Sequence, residues 1–232
     1  MDFKADRLAI CLESGLGFLS ATVKVSIVAV VLGSVLALIV ALVRHYRVPV
    51  LSQLLAVFVT IYRGIPFILI MQIAHLLYVM YFNQVAEALN LSVRINDVDI
   101  ILLAYIVLTI SVVPGVSETF RGALKAIDKT QYEASSTVGL TTFQSLRRII
   151  IPQMFPTAFP NYVNNIIGIA KSVPLFSTIG IVEIMQGSLL PCATTYSYLE
   201  GYAAAMIIYF LLVLLIIVLA NRVEKRLVGY YL

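Results

Sequence analysis

Some residues stand out because their polarity does not suit their surroundings. Between Arg148 and Lys171 lie 22 residues without a charge, long enough to cross a bilayer. In or beside that run stand Asn161, Asn164, Asn165, Gly168, Lys171 and Ser172. Spacings of three, four and seven put Asn161, Asn164 or Asn165, Gly168 and Ser172 on one face of a helix, with Lys171 at its border. Polar groups at membrane depth are costly unless they face protein or water. Such a row can recognise a polar solute by hydrogen bonds, and Gly168 would let that solute or a neighbouring helix approach closely. A translocation path is the leading expectation, and helix–helix hydrogen bonding by the Asn residues is the alternative. Pro174 is expected to kink or unwind the same span, freeing carbonyls that are tolerable only in protein or along a cavity. This is recognition chemistry, and no covalent catalysis is expected.

Other isolated groups carry weaker signals. Arg63 is the only charge between Arg47 and Glu87. Within Arg63-Gly64-Ile65-Pro66, Pro66 removes a backbone donor and Gly64 relaxes the turn before it, so the span is expected to break there. A pairing or snorkelling role is expected for Arg63, with gating as the alternative. Lys171 is expected to pair with Glu118 or Glu183, and attraction of a substrate carboxylate is the alternative. His75 reads as a satisfied core histidine before a pH-sensitive pore group. Cys11 and Cys192 have neither a metal-ligand spacing nor a disulfide framework, and a pairing across one face of the membrane stays open.

The elements that must position these groups follow from composition. The chain has 232 residues, 61% hydrophobic and 12% charged. A soluble domain is about 25% charged, so this chain could not cover its own apolar surface in water. Disorder is excluded for the same reason. A polytopic, all-α membrane protein remains, read as a single domain over 1–232. Charges punctuate the spans. Uncharged runs of 19 residues after Lys24, 18 after Asp99, 22 after Arg148 and 21 after Glu200 give four spans. The run 50–82, interrupted by Arg63, gives a fifth that is too long for one perpendicular helix. The first residues mix both charge signs and precede no short apolar core with a small-residue cleavage site, so the first span is expected to remain as an anchor.

Orientation follows from Lys and Arg. Segments 44–49, 119–154 and 221–232 carry ten of them, whereas segments 1–16, 83–98 and 188–200 carry three. The expected topology has the N-terminus outside and the C-terminus in the cytoplasm. The net charge of +4 fits that bias better than nucleic-acid binding.

Segment 121–152 is the longest non-spanning stretch and reads as two short helices. Asp128 with Gln131 has the spacing of a capping box, as does Thr141 with Gln144. Gly139 falls where a helix end needs a left-handed residue. Pro152 is expected to end the second helix. A rigid helix–Gly–helix element on the cytosolic face is suited to docking into a partner.

The same residues carry a resemblance. Glu133-Ala134-Ser135, three residues, Gly139, nine residues, Ile149, one residue and Ile151-Pro152 are similar to the EAA loop of ABC importer permeases, with Ser135 for Ala and Ile151 for Leu. Glu118-Thr119-Phe120-Arg121-Gly122-Ala123-Leu124 resembles the E-T-x-R-G-A-L stretch of the polar amino-acid branch. Tyr62-Arg63-Gly64-Ile65-Pro66 resembles its F-R-G-T-P motif, and Ile169-Ala170-Lys171-Ser172 its L-L-K stretch. The resemblance runs over roughly 15–227, in one order and topology. It implies a type I ABC importer permease fold with five transmembrane helices, in a bacterial inner membrane. It implies a second permease subunit as homo- or heterodimer partner, two cytosolic ABC ATPase subunits that bind ATP and Mg, and an extracytoplasmic substrate-binding protein. Glu133, Ala134, Ser135, Gly139, Ile149 and Pro152 would belong to the ATPase-coupling loop. Arg63, Gly64 and Pro66 would form the second-span motif. No cofactor or metal is expected on this chain itself, which carries no G-x-x-x-x-G-K-[ST] phosphate loop.

The family often has Glu directly after the Asn matched by Asn164, where this chain has Asn165. The missing carboxylate disfavours strongly cationic substrates and suits a neutral or zwitterionic amino acid such as glutamine or cystine. A secondary transporter or channel is the competing class. It would need an intramembrane carboxylate for ion coupling, and the candidates are Glu118 and Glu183. A membrane scaffold or insertase-like protein is a third class, and neither competitor accounts for the 121–152 element.

Overall fold

A computed structural model describes residues 3–231, with side chains to residue 227. Met1, Asp2 and Leu232, which belong to the expected end segments 1–16 and 221–232, lie outside the described residues. Eleven α-helices make up nearly all of the described chain. The long ones are α2 (Leu19–His45), α4 (Phe67–Ala88), α5 (Ile101–Ala126), α8 (Ile151–Ser172) and α11 (Tyr198–Tyr231). Between them lie α1 (Ala5–Gly17), α3 (Leu51–Gly64), α6 (Lys129–Thr137), α7 (Thr142–Ser145), α9 (Ile184–Leu189) and α10 (Cys192–Thr195). Four helices are individually long and apolar enough to cross a membrane: α2, α4, α5 and α11. A fifth span arises when Thr142–Ile179 and Ile184–Thr195, bent by 56° at their break, count as one. The helix that carries the Asn residues is thus the one that does not pass as a span by itself.

The centre of the bundle is α2 against α5. Ala29, Gly33, Ala37 and Ala41 recur every four residues on α2 and are all buried. Lipid tails are as apolar as leucine, so helices in a membrane associate through close backbone approach over small residues. The approach is tightest at Gly33, where an added Cβ would lie 2.8 Å from the Thr109 carbonyl oxygen and 2.5 Å from the Val112 Cβ. Val30, Ala37, Ala41, Val112, Val116, Ile150, Met154 and Ala158 join α2, α5 and α8 in one buried cluster. Ser34 on α2 and Tyr162 on α8 share a hydrogen bond of 2.9 Å.

The break expected in the run 50–82 falls at Ile65-Pro66 and divides it into α3 and α4. At 1.5 Å per residue, the 22 residues of α4 already span a bilayer core, so α3 is a separate short apolar helix. Segment 1–16, counted above with the outer segments for its charges, contains α1, which packs on α9 and α11. Its buried side is Cys11 and Gly15, flanked by half-buried Leu8 and Leu12. That i, i+3, i+4, i+7 pattern was readable in the sequence.

Pro152 does not end a helix. It occupies the first turn of α8, where a missing N–H costs little. Residues Leu146–Ile150 form a π turn that joins α7 to α8 without a break. Such a turn widens the backbone ladder just ahead of the proline ring. Asp128 caps α6 through the Thr130 N–H at 2.9 Å, but Gln131 does not complete the box. The Gln131 Oε1 instead accepts from Gln153 Nε2 at 3.3 Å.

Candidate functional site

Helix α8 presents its polar residues to a cavity of about 650 Å³ lined by Asn161, Asn164, Asn165, Gly168, Ile169 and Ser172. Helix α5 contributes Gly115, Glu118 and Thr119, and the end of α3 contributes Arg63. Five of the six expected path residues therefore share one wall. Lys171, at the edge of that face, is exposed and does not line the cavity. Gly64 and Pro66 also lie outside the lining.

Asn165 links the two walls of the site. Its Nδ2 donates to Asn161 O at 2.7 Å and to Thr119 Oγ1 at 3.1 Å, tying α8 to α5. Its Oδ1 occupies the space that a side chain at Gly115 would fill, since a Cβ there would lie 2.4 Å away. Gly115 and Thr119 were missed by sequence reasoning. The available signal was that Gly115, Glu118, Thr119 and Gly122 fall on one face of α5, and none of the four is apolar and bulky. Gly168 has open space beside it, so the cavity wall is bare backbone there. Ser172 Oγ donates to Gly168 O at 2.9 Å.

Charge at the site is organised around Glu118. It accepts from Arg44 on α2 and from Arg121 on its own helix, the latter through Nη2 at 2.5 Å and Nε at 3.2 Å. Two guanidinium groups thus hold one carboxylate by charge-assisted bonds, Arg121 on Oε2 and Arg44 on Oε1. The expected pairing of Lys171 with Glu118 or Glu183 is not formed. Glu118 is taken by the arginines, and Glu183 caps α9 through the Met185 and Gln186 N–H groups at 3.0 Å each. Glu183 also accepts from Tyr209 Oη at 2.5 Å. Arg63 lines the cavity from α3, placing a further cation beside the Glu118 cluster.

The loop element is preorganised by the caps. Thr141 and Gln144 form the full capping box, with Gln144 N donating to Thr141 Oγ1 at 3.3 Å and Thr141 N to Gln144 Oε1 at 3.0 Å. Gly139 sits at φ +77°, the left-handed region that disfavours a side chain. Ser135, which stands where the family has Ala, is buried and pairs with Ser145 Oγ at 2.7 Å, joining α6 to α7. Glu133 and Ala134 are exposed, and Ile149 is half-buried. Val138 and Phe143 are 73% and 71% exposed, an apolar tip on this polar element. Asp128, outside the spans, has its carboxyl held below the usual carboxylate range by the N–H and hydroxyl of Thr130. No group of three or more His, Cys, Asp or Glu capable of holding a metal occurs among the described residues.

Comparison with known proteins places these features. Residues 29–229 match the family described as the binding-protein-dependent transport system inner membrane component. The chain is 32% identical over 194 residues to the probable amino-acid ABC transporter permease protein PatM of Vibrio harveyi, covering 84% of this chain and 82% of that one. It is 29% identical over 210 residues to the L-cystine transport system permease protein TcyL of Bacillus subtilis, covering 90% and 85%. Its fold matches a crystal structure of an amino acid ABC transporter with histidines at a TM-score of 0.78 and 22% identity, over 97% of this chain and all of that one. The inward-facing MetNI methionine ABC transporter matches at 0.72 and 18%, over 91% and 95%. The chain therefore belongs to the inner membrane components of binding-protein-dependent transport systems, as a type I ABC importer permease for amino acids.

Proposed function

We propose that this permease conducts a polar, neutral or zwitterionic amino acid through the α8–α5–α3 cavity, and that the 129–150 element couples it to ATPase subunits. The observation that carries the reading is the cavity wall itself. Amide donors and acceptors from Asn161, Asn164 and Asn165 stand next to a carboxylate already held by two arginines and next to the further cation Arg63. A substrate carboxylate is drawn to that surplus positive charge. Among the described lining residues Glu118 is the one carboxylate, so a cationic side chain has no free acid to meet. Relatives bear names for L-cystine, glutamine and arginine transport. The electrostatics favour the first two classes.

The coupling reading rests on Gly139, the Thr141 cap and the Ser135–Ser145 bond, which make 129–150 a rigid lever. Its exposed tip, Val138 and Phe143, offers an apolar knob to a groove on a nucleotide-binding subunit. ATP and Mg would be held there, in the partners. ATP-driven closure of those subunits moves the paired levers and opens the cavity outward, where a binding protein delivers substrate. Hydrolysis resets the inward-facing state. Orientation follows the Lys and Arg bias, with this element in the cytoplasm and the N-terminus outside.

The competing secondary-transport class would need an intramembrane carboxylate free to bind an ion. Both candidates are engaged, Glu118 in ion pairs and Glu183 in a helix cap. The test is uptake in proteoliposomes holding the permease, its ATPase and its binding protein. Glutamine or cystine uptake that requires ATP, with arginine a poor competitor, is the expected result. Uptake without ATP, or preference for arginine, would overturn the reading.

A further inference from the structure

We infer that Cys11 and Cys192 form a disulfide on the extracytoplasmic face, stapling the N-terminal helix to the cap that precedes the last span. Their sulfurs lie 3.8 Å apart, and both residues are 0% exposed. Bonded sulfurs sit about 2 Å apart, within reach of a side-chain rotation. The two cysteines are 181 residues apart in sequence and are the chain's only two. They share a buried cluster with Ala204, walled by Leu8, Leu12 and Leu189. Gly201 closes the site, because a Cβ there would meet the Cys192 Sγ at 2.6 Å. The thiols meet mainly each other and backbone carbonyls: Cys192 Sγ donates to Ser197 O at 3.2 Å and more weakly to Ser188 O at 3.8 Å.

Topology decides the compartment. The bent fifth span, Thr142–Ile179 with Ile184–Thr195, starts in the 129–150 element and carries Cys192 near its far end, and α2, the α3–α4 segment and α5 separate that element from Cys11. Both counts are odd, so both cysteines lie opposite the coupling element. With that element cytosolic, as proposed above and on which this inference rests, the pair faces the oxidising side, where disulfides form and persist. The oxidant is a disulfide-carrying thiol oxidase of that compartment. One thiolate attacks its disulfide, giving a mixed disulfide and releasing one oxidase thiolate. The second cysteine attacks the mixed disulfide, expelling the other oxidase sulfur. Two electrons pass to the oxidase, which leaves as a dithiol after taking up the two protons. Burial pushes the Cys11 thiol up to about 11 in the docked state, so the exchange belongs to the stage before α1 seats.

The test uses the full chain in native membranes, acid-quenched, denatured and treated with a maleimide polymer. No adduct without reduction, two adducts after reduction, and an intact mass two hydrogens lower than the dithiol are expected. Cys192→Ala should show one adduct without reduction, which excludes thiols blocked by other caps. One or two adducts on the unreduced wild-type chain, or a covalent dimer on a non-reducing gel, would overturn the inference. In a cysteine-free background, Ser92→Cys reports the side of the membrane. Labelling from outside together with free wild-type thiols refutes the disulfide alone. Labelling from inside refutes the orientation, and the disulfide with it.

Discussion

Asn165 is where the path and packing readings separate. Its amide bonds both Asn161 O and Thr119 Oγ1, so it shapes the cavity and also joins two helices. A hydrogen bond contributes about 1 kcal/mol net, and 1.4 kcal/mol is a factor of ten. Asn165→Ala is therefore expected to raise the half-saturation for substrate by about fivefold with assembly intact. Retained affinity with lost assembly, measured by uptake and by complex recovery, would assign Asn165 to packing. Gly115→Ala should act through the same amide by displacing its Oδ1, with an effect no smaller. Ser135 gives a cleaner test of a local pair. Ser135 Oγ also donates to Tyr132 O at 2.7 Å, so removing Ser135 strands the Ser145 hydroxyl, whereas removing both is nearly neutral. Ser135→Ala should lower the unfolding midpoint more than the double Ser135→Ala, Ser145→Ala variant. A larger loss in the double variant would contradict this.

At the scale of elements, two positions fix geometry by having no side chain. Gly33 lets α2 lie against the α5 backbone at Thr109, so Gly33→Val must push the helices apart. Overpacking of this kind costs about 1–3 kcal/mol, and reduced yield of folded protein in detergent is the expected readout. Gly139 holds a left-handed turn between α6 and α7. A side chain there costs about 1–2 kcal/mol, and Gly139→Asp should block assembly or leave ATPase activity uncoupled from uptake. Normal uptake in that variant would count strongly against the lever. Asp128 adds a pH dependence to the same element. Because its carboxyl is held low by Thr130, the cap is present above the ordinary carboxylate range and is lost as pH falls through the lowered value. Protease nicking between 128 and 140 should rise at acid pH in the wild type and change less in Asp128→Asn.

For the whole molecule, the orientation is testable with two single-cysteine variants in a cysteine-free background. Ser92 and Ser136 are both exposed, whereas Ser145 is buried and unsuited to labelling. Ser92→Cys should react with an impermeant reagent from outside and Ser136→Cys only from inside. Reaction of both from one side would overturn the five-span topology. Much of that topology was legible in the chain alone. Charges are so expensive in hydrocarbon that their gaps marked the spans, and the Lys and Arg bias marked a face. Local chemistry also declared itself: Gly139, the Thr141–Gln144 box and the break at Ile65-Pro66 depend on near neighbours in sequence. Misread features depended on distant partners or on continuity. Gln131 bonds Gln153 instead of closing a box, and Pro152 begins a helix because a π turn carries α7 into α8. Lys171 has no bond to Glu118 because Arg44, 74 residues away from that carboxylate, already occupies it with Arg121. By itself, then, the sequence determined which segments are apolar enough to enter the membrane and where the loop between them is capped and turned, since solvation and backbone propensity act on each segment separately. Only the tertiary structure decided which polar groups share a cavity, which carboxylates are already engaged and which cysteines meet, because those facts belong to pairs of helices brought together by packing.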